Sequence, residues 1–158
     1  MKLITFDAGN GARVGLVTDA GVVDLTQHAG VTSLRGLIAD GKVVHMSAHA
    51  GAAADHALDD VTFLPVIPDP EHIWCVGVNY MDHLQEAIDA GLPRSKSEFP
   101  MIFGRYADTM VGHKQNLMKA PIVHKLDYEC ELAVIIGKGG RYIAKEDALS
   151  HTAGYSCF

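Results

Sequence analysis

Leu126-Asp127-Tyr128-Glu129-Cys130-Glu131-Leu132-Ala133-Val134-Ile135-Ile136-Gly137 is the stretch on which the reading of this chain turns. Its β-branched, apolar second half, closed by a glycine, predicts a strand over the whole segment. On a strand, side chains two apart point to the same face, so Glu129 and Glu131 project together while Tyr128, Cys130 and Leu132 face the other way. Two carboxylates side by side repel and raise each other's pKa unless a cation lies between them. All-oxygen ligation favours Mg²⁺, Mn²⁺ or Ca²⁺ over Zn²⁺. The same pair would equally suit the wet face of an ordinary amphipathic strand, and Glu-x-Glu alone does not choose.

Upstream, Gly77-Val78-Asn79-Tyr80-Met81-Asp82-His83-Leu84-Gln85-Glu86 reads as a strand end turning into a helix. His83 and Glu86 lie three apart and share a helical face, where the carboxylate can hold the imidazole in one tautomer. That spacing can make a general-base dyad, or equally a solvated helix surface with an incidental His and Glu. The remaining histidines show no metal-ligand spacing.

Towards the amino terminus, Lys2 to Asp7, Ala12 to Thr18 and Val22 to Leu25 are broken at Gly9-Asn10-Gly11 and Asp19-Ala20-Gly21, the pattern of a short β-meander. Thr32 and Ser33 offer N-caps for a helix carrying Leu34, Leu37 and Ile38 on one face, and an Ala-rich helix is expected over Ala48 to Leu58. Leu64-Pro-Val-Ile-Pro-Asp-Pro70 excludes helix and central strand and forces an extended connection. The expected organisation is a small α/β module over residues 1–64, a Pro-rich linker over 65–70, and a second domain over 71–158. In that second domain, strands at Ile73 to Val78 and Met101 to Phe103 flank a helix over Asp82 to Ala90 and a Pro- and Ser-containing loop. A short helix at Lys145 to His151 then leads into a strand at Gly154 to Phe158. Because Gly154-Tyr-Ser-Cys-Phe158 only begins a strand, the second domain is expected to be incomplete. The fold class expected overall is α+β, mostly β.

Bulk properties narrow the partners. The 158 residues are 48% hydrophobic and 20% charged, as in a globular protein with a buried core. A net charge of -6 argues against a phosphate-backbone binder and so against nucleic acid. The longest apolar run, Leu132 to Ile136, is too short to span a bilayer, and the first residues lack a basic region followed by an apolar stretch. Three cysteines, Cys75, Cys130 and Cys157, fit reduced thiols, so no membrane partner and a cytoplasmic location are expected.

Taken in order, Gly77-Val-Asn-Tyr80 with Asp82-His83, Pro100 with Phe103, Leu126 to Lys138 with Glu129-x-Glu131, Ala148-Leu149 and Gly154-Tyr155 resemble the fumarylacetoacetate hydrolase family. The amino-terminal module is similar to the small domain that precedes the catalytic one in many bacterial members. The resemblance implies a mixed β-roll or sandwich for the second domain, with Glu129 and Glu131 as two ligands of Mg²⁺ or a similar divalent ion. It implies His83 and Glu86 as the pair that activates water, and Tyr80 and Arg105 as substrate-binding residues. Where the family carries a lysine, this sequence has Arg105, whose guanidinium can grip a carboxylate. The third metal ligand of the family would lie beyond Phe158. The implied activity is hydrolysis of a carbon-carbon bond in a 2-oxo or 1,3-dicarbonyl acid of acylpyruvate type, in a homodimer. Isomerisation or decarboxylation of an unsaturated 2-oxo dicarboxylic acid is the alternative within the same chemistry, and a non-catalytic fragment is the alternative outside it. A lid over Asp82 to Pro93 is expected to close on the substrate.

Overall fold

The computed structural model describes residues 1–91 and 98–158, as two compact units: Met1–Pro68 with Val111–Phe158, and Asp69–Met110.

In the larger unit the meander forms as the turn residues dictate. Strands β1 (Lys2–Asp7), β2 (Ala12–Thr18) and β3 (Gly21–Asp24) pair antiparallel, and β4 (Thr62–Phe63) joins the free edge of β1, giving the order β3-β2-β1-β4. The first turn is drawn together by Asp7, whose Oδ1 accepts the backbone N–H groups of Gly9, Asn10 and Gly11 at 2.7, 3.0 and 3.0 Å. Those three bonds, Gly9 and Gly11 foremost, stabilise the ionised carboxyl and hold its pKa below the usual value.

Alternation along the strands gives the sheet two apolar faces. Val14, Leu16 and Val23 form one core with Leu25, Leu34 and Leu37, while Phe6 and Val22 form another with Val61. Gly15 lies where the second face is tightest, since a Cβ there would sit 2.6 Å from a Val22 methyl and 2.9 Å from the Phe6 ring.

The strand expected over Val22 to Leu25 stops one residue short. Asp24 ends β3 and caps helix α1 (Leu25–Ala29), its Oδ1 accepting from the Gln27 N–H at 3.0 Å. Helix α2 (Leu34–Ala39) starts at Ser33, whose hydroxyl accepts from the Gly36 N–H, as its cap residue predicts.

The Ala-rich helix expected over Ala48 to Leu58 is absent. A 3-10 segment covers Val43–His49, and the chain then runs out to a bridge between Val22 and His56. Alanines offer little apolar surface to hold a helix against the core, whereas Val22 exchanges backbone bonds with Asp55 and His56, and Asp55 accepts from Asp24 N at 2.8 Å. Side-chain partners complete the tie. Asp24 is 1% exposed beside the Arg13 guanidinium, with His56 3.7 Å away, and His28 meets Asp55 at 2.9 Å.

The Pro-rich stretch is neither helix nor strand. It is tied back to β1 by Leu64 N donating to Thr5 O and the Thr5 hydroxyl donating to Val66 O, and Val66 and Ile67 pack on the core.

Strands β7 (Leu132–Ile136) and β8 (Thr152–Cys157) form an antiparallel hairpin, with an irregularity between Ile135 and Ile136. Here the sequence overstates the strand: Leu126 to Cys130 carries no ladder. The register explains this. Glu131 and Phe158 exchange both backbone hydrogen bonds at 2.9 Å and extend the β7-β8 pairing by one residue, and no described strand faces the residues before Glu131. The 3-10 segment Lys145–His151 leads into β8.

The smaller unit is a hairpin of β5 (Ile73–Gly77) and β6 (Met101–Arg105), with helix α3 (Met81–Asp89) between the two strands in sequence. Leu84 is the buried residue of α3. The Pro- and Ser-containing loop, and the end of the expected lid at Leu92 and Pro93, lie outside the described residues.

Candidate active site

Four of the candidate side chains belong to the smaller unit. Strand β5 ends at Gly77, and Val78 takes a left-handed backbone, φ 51°. A β-branched residue rarely adopts that conformation, and such strain is concentrated at turns that aim functional groups. Nothing in the sequence signals it, because glycine is the residue that normally marks a positive φ. Immediately afterwards Tyr80 stands at the N-cap of α3, 45% exposed.

His83 occupies the first turn of α3 and Glu86 the next, which brings His83 Nδ1 to 3.7 Å from Glu86 Oε2. That separation is beyond a hydrogen bond, and the two groups interact as an open pair, 47% and 79% exposed. Arg105 closes β6, paired in register with Ile73 at the start of β5.

The two carboxylates of the quoted stretch belong to the larger unit. Glu131 is half-buried and fixed by its double backbone bond to Phe158, while Glu129 sits on the exposed run before the strand. Among the described residues no three His, Cys, Asp or Glu side chains gather in a metal-ready arrangement. As a donor set, two carboxylates fit a hard divalent cation that retains water or substrate oxygens in its other positions. No helix among the described residues is long and apolar enough to cross a membrane.

The profile of the family described as "Fumarylacetoacetate (FAA) hydrolase C-terminal" matches residues 72–158, and this chain belongs to that family. Among its relatives, the mitochondrial oxaloacetate tautomerase FAHD2A of Bos taurus is 41% identical over 97 residues, 61% of this chain and 29% of the bovine protein. A putative HpcE protein from Mycobacterium smegmatis superposes with a TM-score of 0.76 at 30% identity, over 99% of this chain and 53% of that one. Maleylpyruvate hydrolase from Sphingobium sp. SYK-6, solved with manganese(II) and pyruvate, superposes with a TM-score of 0.75 at 27% identity, over 99% and 57%. The chain therefore spans about half the length of these solved relatives, and it is an α+β member of their fold.

Proposed function

We propose that this chain supplies part of the active site of a divalent-metal-dependent enzyme that acts on a 2-oxo acid through an enolate. The observation that carries the reading is the family match over residues 72–158, which spans all six candidate residues. Glu129 and Glu131 are the proposed ligands from this chain. A Mg²⁺, Mn²⁺ or Ca²⁺ ion held there would polarise the substrate carbonyl and stabilise the enolate charge. The manganese and pyruvate bound by the Sphingobium hydrolase support a divalent ion and a 2-oxo acid as the ligands of the proposed site.

In the hydrolytic reading the substrate is an acylpyruvate. His83 accepts a proton from water, Glu86 orienting the imidazole, and the hydroxide adds to the distal carbonyl. The bond between that carbon and the neighbouring methylene breaks, and its electron pair becomes the enolate of pyruvate. His83 returns its proton to the enolate carbon, giving pyruvate and a carboxylic acid with water consumed. Tyr80 and Arg105 orient the substrate, Arg105 by gripping a carboxylate.

A second reading is favoured by the 41% identity to an oxaloacetate tautomerase. There His83 moves a proton between carbon and oxygen of a 2-oxo dicarboxylic acid, and no water adds. Assay of the full-length protein against an acylpyruvate and against oxaloacetate separates the two. Carboxylic acid release from the first supports the hydrolase, accelerated keto-enol exchange of the second without cleavage supports the tautomerase, and neither, with metal present, refutes both.

A further inference from the structure

The larger unit contains a groove of about 490 Å³ between the α2 side of the amino-terminal module and the β7-β8 hairpin, and it runs on into a smaller pocket of about 180 Å³. Ile38 and Val43 form one wall and Ile135 and Ala153 the other. The irregularity at Ile135/Ile136 keeps the second wall low, since Ala153 falls where the register shifts. Gly137 beside it could carry no side chain, because a Cβ there would lie 2.7 Å from that of Ala153.

One end of the groove is polar and of one sign. Lys138 and His151 line it, and His151 Nδ1 donates to the Lys138 carbonyl at 2.7 Å, which fixes the backbone carrying the lysine. No Asp or Glu is among the described lining residues, in a chain whose net charge is -6. An apolar trough ending at an ammonium selects an anion with an apolar tail, because the tail gains by burial and the headgroup by a charge-assisted bond. Glu131 and Gly137 stand at opposite ends of β7, six residues apart, or roughly 20 Å of strand. The groove's polar end is therefore remote from the carboxylate pair.

The geometry points to a second ligand site here, for a carboxylate with a medium-length alkyl or aryl tail: the tail lies between Ile38, Val43, Ile135 and Ala153, and the carboxylate meets Lys138. Octanoate is the probe. Titrated into the full chain and followed by calorimetry and two-dimensional NMR, it should bind saturably and shift the resonances of the four wall residues. Lys138→Gln should weaken it roughly tenfold or more, n-octanol should bind no better to the parent than octanoate does to that variant, and Ala153→Leu should abolish binding by filling the trough. If Ala153→Leu loses its near-ultraviolet circular dichroism, Val43→Trp blocks the same trough from the other wall. The site is refuted by absence of binding at millimolar octanoate, by binding indifferent to all these variants, or by shifts confined to Leu132 and Val134, which line neither part of the groove.

Discussion

His83 is the residue whose role is most open to test, because its surroundings assign it little structural work. It is 47% exposed and meets Glu86 only at 3.7 Å, so replacing it should cost little stability. His83→Ala is expected to leave divalent-metal binding intact while turnover of the preferred 2-oxo acid falls on the order of a hundredfold or more, the scale of a lost general base. Steady-state kinetics beside a metal titration checks this, and unchanged turnover removes His83 from the mechanism. Asp55 offers a test of the amino-terminal module. The Asp24 N–H holds its carboxyl below the ordinary value, against the opposing effect of burial, and His28 adds to the lowering. With the folded pKa below the unfolded one, its contribution to stability is whole above about pH 4 and disappears as pH falls through the lower, folded value. Melting temperature against pH should therefore drop on the acid side in the parent, and the drop should be shallower in Asp55→Asn. Identical acid limbs would show that the Asp55 charge contributes nothing to the fold.

At the level of elements, local chemistry was legible wherever a segment carries its own instructions. Asp7 with Gly9 and Gly11 makes the first turn, and Ser33 starts α2 at the position its hydroxyl announces. Legibility failed where a distant partner decides. Ala48 to Leu58 has helix-forming residues, yet Val22 captures Asp55 and His56 into a bridge. Leu126 to Gly137 has strand-forming residues along its apolar half, yet among the described residues the pairing covers only Glu131 to Ile136, opposite Thr152 to Phe158. Neither outcome could be read from the segment itself, because the energy lies in pairing across tens of residues. The bridge yields a prediction at this scale. Gly21 adopts φ +136°, and a Cβ on it would come within 2.4 Å of the His56 carbonyl oxygen. Gly21→Ala should destabilise the module by about 2 kcal/mol or more in urea unfolding, through a forbidden backbone angle and displacement of the bridge. Wild-type stability would mean that the bridge adjusts freely.

For the whole molecule, the distribution of apolar surface is uneven. The meander module buries Phe6, Val22, Val23 and Leu25 completely, while Trp74, Ile102, Leu132, Val134 and Ile136 on the two hairpins are 49–66% exposed. Two-stranded hairpins are marginal by themselves, and the chain spans about half the length of its solved relatives. The motifs that made the family legible lie on these hairpins and the turns beside them, on the first turn of α3 and on the 3-10 segment before β8. A recognisable sequence therefore coincides with an arrangement in which Glu129 and Glu131 have no third carboxylate or imidazole gathered around them among the described residues. The claim on which the functional account rests is that these two side chains bind one divalent ion. Manganese(II) binding to the full-length protein, followed by the loss of free-ion electron paramagnetic resonance signal, addresses it directly. Saturable uptake that weakens at least about tenfold in both Glu129→Gln and Glu131→Gln is the expected result. Uptake by both variants equal to that of the parent would contradict the account.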